Sequence, residues 1–200
     1  MTQDPIPRNR DATNLRILDA AFVVLSDDGF ARFGVNCVAR AAGCDKKLIY
    51  RYFDGIDGLW GTMGLSVADG LVAALVPHLD PKPGTYAAMM ERLGLALFDH
   101  PRADPRYGQI KLLELSAAPA ATASFRAARR KALQDWVLAA RGDLQPPAGL
   151  DVYAINALPI AAVEGMTLRP GPGFGSVQDD ARLRSGLVHL IRAAFGVPPA

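Results

Sequence analysis

Residues 35–53 read VNCVARAAGCDKKLIYRYF, and this stretch decides the fold. A short helical pattern runs from Val35 to Ala42 and stops at Gly43. Asp45 follows, where its carboxylate can accept the free amides that open a new helix. That second helix carries Lys46, Lys47, Tyr50, Arg51 and Tyr52. Two short helices around a glycine turn, the second bearing basic and phenolic groups, form a helix-turn-helix equipped to enter a major groove.

The charge distribution agrees. The net charge of the 200 residues is only +2, too small for a bulk coater of nucleic acid. Between Arg32 and Phe53, however, Arg32, Arg40, Lys46, Lys47 and Arg51 face a single acid, Asp45. From Met1 to Asp28 the balance reverses, with Asp4, Asp11, Asp19, Asp27 and Asp28 against Arg8, Arg10 and Arg16. Positive charge is focused on the reading element, as sequence-specific binding requires.

Working outward, the chain reads as all-α. Met1 to Arg10 is a polar arm. Helix 1 runs from about Thr13 to Ser26, with Leu15, Leu18, Phe22 and Leu25 at three-and-four spacing. Asp27-Asp28-Gly29 ends it, the glycine suiting a left-handed cap. Helix 4 starts near Asp57 and reaches about Val76; helix 5 covers Thr85 to Asp99; Asp104-Pro105 opens helix 6 as cap and first residue. Helix 7 runs from Pro119 to Ala140, and helix 8 from Leu150 to Leu168 with Pro159 inside it, where a kink or break is expected. Arg169 to Gly175 is a loop, and Ser176 with Asp179 opens helix 9. The expected organisation is a helix-turn-helix domain over residues 1–54 and a larger helical domain over 55–200, with no linker at Asp54-Gly55.

Other function classes find little support. No apolar run approaches the roughly 18 residues of a membrane span, and the N-terminus has no signal-peptide core. Cys37 and Cys44 give no disulfide framework, so a reduced cytoplasmic protein is the expectation. His78, His100 and His189 lie far apart, without ligand spacing, so neither a metal nor a cofactor is called for. No serine sits in a nucleophile elbow. Gly171, Gly173 and Gly175 mimic a phosphate loop but follow no strand. The expectation is a non-enzyme.

Leu18-Asp19-Ala20-Ala21, Gly29-Phe30, Val35, Val38-Ala39, Ala42-Gly43, the run Leu48 to Phe53, and Leu59 together resemble the N-terminal domain of the TetR family of bacterial transcriptional regulators. The resemblance covers roughly the first 60 residues; the remaining helices fit the family by number and order. It implies a homodimer of nine-helix subunits, operator binding by two helix-turn-helix heads, and release by a small ligand held in the C-terminal domain. Three positions depart from the family's habits. Gly34 stands where Ser or Thr often caps helix 2, Asp45 where Ser or Thr is usual, and Ile56 where a Lys often opens helix 4.

Residue roles follow. Lys47 and Arg51, at i and i+4, approach base edges or nearby phosphates, while Lys46, Tyr50 and Tyr52 hold phosphates. Leu48 meets a thymine methyl, and Asn36 is a further phosphate candidate. Arg8 and Arg10 either reach a minor groove or belong to a tail without a role. For the ligand, Trp60, Met63, Met90, Leu93, Leu113, Phe125 and Trp136 supply bulky apolar surface, and Asn156 and Glu114 interrupt apolar stretches. For any one of the bulky residues core packing is the favoured explanation. Glu114 either orients a cationic or hydroxylated ligand or pairs with Lys111 at the helix surface. Ala157, Ala161, Gly165, Leu183, Leu187, Leu190 and Ile191, on helices 8 and 9, are the candidates for a four-helix dimer seam. The leading expectation is a ligand-released regulator, most simply a repressor, acting as a homodimer on operator DNA. The alternative is a helical small-molecule-binding protein that keeps the head without operator activity.

Overall fold

The computed structural model describes residues 7–167 and 177–195. Among these there are nine α-helices and two 3-10 turns, and no strand. The helices are α1 (Pro7–Arg32), α2 (Val35–Ala41), α3 (Lys46–Phe53), α4 (Ile56–Leu75), α5 (Tyr86–Ala103), α6 (Pro105–Ser116), α7 (Ala123–Arg141), α8 (Val152–Thr167) and α9 (Val177–Ala194). The 3-10 turns, Val76–Leu79 and Pro119–Thr122, follow α4 and precede α7.

Local signals placed most boundaries. Gly29 takes φ 69 and interrupts α1 where the sequence asks for a left-handed residue. Thr85 caps α5 through the Ala88 amide at 3.1 Å, and Asp151 caps α8 through the Ala154 amide at 3.0 Å. Asp104 accepts weakly from the Tyr107 amide at 3.4 Å at the start of α6. Three expectations are revised. α1 begins at Pro7, so Arg10 lies within a helix rather than on an arm. α8 continues through Pro159, so of the two alternatives, kink or break, the break is removed. The stretch Ile56–Leu79 is long and apolar enough to meet the length and hydropathy criteria of a membrane span, with a mean hydropathy of 1.6. Asp57 and Asp69 interrupt the run in the sequence, and Leu59, Trp60, Met63, Val67, Ala68, Leu71 and Leu75 are buried within the fold. The Arg169–Gly175 loop, Ser176 and the end of the chain after Phe195 lie outside the described residues.

The chain forms two compact units. The first comprises Met1–Asp69 and Leu112–Leu133, the second Gly70–Lys111 and Gln134–Ala200. Each boundary falls inside a helix: α4, α6 and α7.

In the first unit α1 packs on α2 and α2 on α3. Ile17, Ala21, Val38, Ile49 and Leu59 are 0% exposed and make its centre. A cluster of aromatic rings continues the core. The Trp60 ring stacks on Phe30 at 4.9 Å, lies tilted against Phe33 at 3.8 Å, and meets Phe125 edge-on at 6.2 Å. α4 and α7 touch at Gly64. A β-carbon there would lie 2.3 Å from the Phe125 carbonyl oxygen, so only glycine allows this approach. Beside it, Glu114 is 2% exposed and accepts from Arg126 Nε at 2.8 Å and from Arg129 Nη2 at 3.1 Å. Burial of the carboxylate is tolerable because two guanidiniums satisfy it.

In the second unit α5 lies against α8 and α9. Met89, Leu93, Ala96, Phe98, Val163, Leu187, Ile191 and Phe195 are buried in this unit. Glu91 on α5 holds Arg192 on α9 in a paired contact at 2.8 and 2.9 Å, which raises the guanidinium above its ordinary range chiefly through those hydrogen bonds. Asn156 Nδ2 on α8 donates to the Tyr86 hydroxyl at 2.8 Å.

Candidate nucleic-acid interface and apolar cavity

The interface is built on the turn between α2 and α3. Gly43 takes φ 59, and the amides of Ala42, Gly43 and Cys44 close onto the carbonyls of Val38, Arg40 and Ala39. Those bonds satisfy the end of α2 and reverse the chain. Gly34 precedes α2 in extended conformation without a side-chain cap. Asp45 caps α3, accepting from the Lys47 amide at 2.8 Å. Ile49 and Phe53, at i and i+4, are 0% and 8% exposed and seat α3 on the core.

With that face buried, the opposite face is presented to solvent. Lys46, Lys47 and Arg51 are exposed, and Tyr50 keeps 58% of its surface free. The Tyr50 ring rests against the backbone of Gly55, where a β-carbon would stand 3.4 Å from it. The chain leaves α3 through Asp54 at φ 60 and Gly55 at φ 89. Tyr52 is half-buried, with the guanidiniums of Arg51 at 5.8 Å and Arg10 at 5.6 Å from its ring centre. Asn36 is exposed on α2 and Leu48 half-buried on α3. All seven residues singled out in the sequence therefore lie on two helices joined by one turn. Arg10 joins them through its position on α1, which the sequence did not signal; the side chain of Arg8 lies outside the described residues. Cys37 and Cys44 are free and half-buried.

The second unit holds a cavity of about 110 Å³. α5 contributes Met90, Leu93, Gly94 and Leu97, α7 contributes Trp136 and Val137, and α8 contributes Ile155, Asn156, Pro159, Ile160 and Val163; Leu75, Ile191 and Phe195 complete the wall. None of these described residues is charged. Asn156 Oδ1 is buried and has no hydrogen-bond partner.

Four of the nine residues expected to bind a ligand, Met90, Leu93, Trp136 and Asn156, line this cavity. The other five belong to the first unit. Trp60 and Phe125 are engaged in the aromatic cluster, Met63 is 0% exposed, and Leu113 lies against Gly29. Glu114 is neither at a helix surface nor free for a ligand, since the two arginines occupy it. The cavity residues that the sequence did not suggest include Gly94 and Pro159, whose signal was an imino acid or glycine inside an apolar helix.

The dimer candidates also divide. Leu187 and Ile191 are 2% exposed within a single chain and serve its own core, because their face of α9 turns toward α5; a β-carbon on Gly94 would come within 2.6 Å of Ile191 Cδ1. Leu190 is 62% exposed, Ala161 and Gly165 are exposed, and Leu183 and Ala157 are half-buried. Beside them on α8, Tyr153 and Leu158 are exposed as well.

Residues 17–61 match the family model described as bacterial regulatory proteins, tetR family. A 44-residue stretch is 46% identical to an uncharacterised HTH-type transcriptional regulator of Mycobacterium tuberculosis, and the match covers 22% of each chain. In backbone structure the chain is similar to a transcriptional regulator from Rhodococcus sp. Rha1, with TM-score 0.67 and 20% identity, covering 92% of this chain and 98% of that one. It is also similar to the transcriptional regulator FadR from Bacillus subtilis in complex with stearoyl-CoA, with TM-score 0.61 and 16% identity, covering 90% and 98%.

Proposed function

We propose that this chain, whose residues 17–61 match the tetR family model and whose backbone is similar to that of a transcriptional regulator from Rhodococcus sp. Rha1, is a ligand-responsive transcriptional regulator that represses by binding operator DNA as a homodimer. One observation carries the reading. α3 is anchored by Ile49 and Phe53 and turns Lys46, Lys47, Tyr50 and Arg51 outward from a capped turn. Such a helix lies in a major groove, with Lys47 and Arg51 at base edges or nearby phosphates and Lys46, Tyr50, Tyr52 and Asn36 on phosphates. Leu48 is placed for a thymine methyl. Residues 1–54 are the DNA-binding part, and 55–200 bind ligand and the second copy.

The exposed apolar side of α8 and α9, with Leu158, Ala161, Gly165 and Leu190, supports the homodimer. Two heads then read half-sites about one helical turn apart, roughly 34–36 Å. The cavity supports ligand control. A ligand shifts the operator equilibrium only by binding the two dimer states unequally. FadR of Bacillus subtilis, a structural neighbour, is in complex with stearoyl-CoA; the apolar cavity of about 110 Å³ here suits a molecule far smaller than that. The cytoplasm is the site of action.

The test is a gel shift on promoter DNA of the chain's own gene, titrated with salt. If Lys46 and Lys47 clamp phosphates, the double alanine variant flattens the slope of log K against log salt by about two. An unchanged slope refutes the clamp. The second reading, a small-molecule-binding protein that retains the head without operator activity, is favoured by Asp45, an acid at the DNA-facing helix start, together with the uncapped Gly34 and the apolar Ile56. No sequence-dependent, salt-sensitive binding at any promoter site decides for it.

A further inference from the structure

The wall of the cavity in the second unit decides what it can hold. Leu75, Leu93, Val163 and Ile191 are buried, and Ile160, at 39% exposed, carries the wall to the surface. Met90, Trp136 and Phe195 add polarizable faces of the kind that pack well on a flat ring. No described lining residue is charged, and Asn156 has the only side-chain oxygen among them. That oxygen is shut off, and Nδ2 of the same amide is committed to the Tyr86 hydroxyl at 2.8 Å. A hydroxyl entering the space would give up its hydration and find no side-chain oxygen to replace it. A carboxylate would lose far more, with no cation to meet it. Apolar contact is what remains to drive binding. The space of about 110 Å³ is smaller than an engineered apolar cavity of roughly 150 Å³ that stays dry and binds benzene. It is far below the roughly 300–1,000 Å³ of pockets for drug-sized molecules.

We infer that the cavity takes one neutral, hydrocarbon-like molecule of about one ring, or a short alkyl chain of similar bulk, with neither a charge nor a hydrogen-bond donor inside the space. This rests on the reading of the cavity as the ligand site. It deepens that reading by naming the ligand class, and it excludes anions, hydroxylated rings and long acyl chains.

The experiment is calorimetric titration of the full chain with toluene, phenol, benzoate and butylbenzene. Toluene and phenol are close in size and differ in the donor, benzoate carries the charge, and butylbenzene adds bulk alone. Toluene should bind on the order of tenfold more tightly than phenol, with benzoate weakest. An open apolar surface would gain about fourfold for each added methylene; in a space of this size butylbenzene should bind no more tightly than toluene. Val137→Phe places a larger side chain in the wall and should abolish toluene binding. If that variant does not fold, Ile155→Phe takes its place. Phenol equal to or tighter than toluene overturns the inference, because an acceptor would then reach the space; the Ile155 carbonyl, which Pro159 leaves without its helical donor, is the candidate. Tightest binding of benzoate, a gain for butylbenzene, or no binding of toluene overturns it as well. So does toluene binding that the filled cavity leaves unchanged. Operator affinity is measured separately on the same preparations. Selective toluene binding that leaves operator affinity unchanged would sink ligand control while sustaining the cavity chemistry.

Discussion

At the scale of single residues, Asp45 does two opposed things. Its carboxylate caps α3 through the Lys47 amide, and it places a negative charge at the helix start that the proposed function turns toward phosphates. Asn caps about as well as Asp. Asp45→Asn should therefore leave the melting temperature nearly unchanged and tighten DNA binding several-fold, with a salt slope steeper by roughly one; weaker binding would show that the acid assists recognition. His100 supplies a different test. Burial lowers its pKa from the ordinary 6.5, and the Asp104 carboxylate opposes that shift. A lowered histidine pKa means that folding disfavours the proton. The contribution is neutral above pH 6.5, and stability falls as pH drops below it, because the unfolded chain is protonated first. The imidazole meets the Tyr107 ring edge-on at 4.8 Å, so His100→Phe preserves a ring there. This variant should lose less melting temperature than the wild type between about pH 7.5 and about pH 5.5. Parallel losses would mean that His100 is not the titrating group.

At the scale of helices, glycines in α4 separate packing from propensity. Gly64 meets α7 backbone, with the would-be β-carbon 2.3 Å from the Phe125 oxygen and 3.3 Å from the Arg129 nitrogen. Neither neighbour is the tip of a flexible side chain, so the helices themselves must part. Gly64→Ala gains about 1 kcal/mol of helix propensity but should be destabilising overall, at the upper end of the about 1–3 kcal/mol typical of overpacking. Gly61 has nothing within 4 Å of its would-be β-carbon, and Gly61→Ala should stabilise by up to about 1 kcal/mol. Urea denaturation of both variants checks the sign. The same distinction explains what was legible in the sequence. α3 could be read because its cap, its turn glycine and its Ile49–Phe53 stripe are all local. On α9 the apolar residues were legible but their partners were not. Leu190 and Ile191 are neighbours in sequence, yet one is 62% and the other 2% exposed, since a single step turns a helix by more than a quarter circle.

At the scale of the molecule, the fold class was legible because one stretch after another carries helical spacing and none reads as a strand. The ligand residues were half-legible. Which bulky residue lines a cavity depends on contacts between elements far apart in sequence, and composition cannot rank Met63 against Met90. The 1–54 boundary was drawn at the end of a motif, whereas compactness also joins the start of α4, the end of α6 and much of α7 to the first unit. The proposed dimer makes its own prediction. Leu158→Glu combined with Leu190→Glu changes only exposed positions, so the helical content should persist while sedimentation shows half the mass. An unaltered dimer would move the interface elsewhere.

The two tryptophans of the chain fall one in each unit. Trp60 is enclosed by Phe30, Phe33 and Phe125, and Trp136 stands in the cavity wall. The molecule thus carries two optical reporters of unlike surroundings. In Trp136→Phe the remaining emission belongs to the first unit, and in Trp60→Phe to the second. Light alone can then follow whether the two units melt as one cooperative body or in succession.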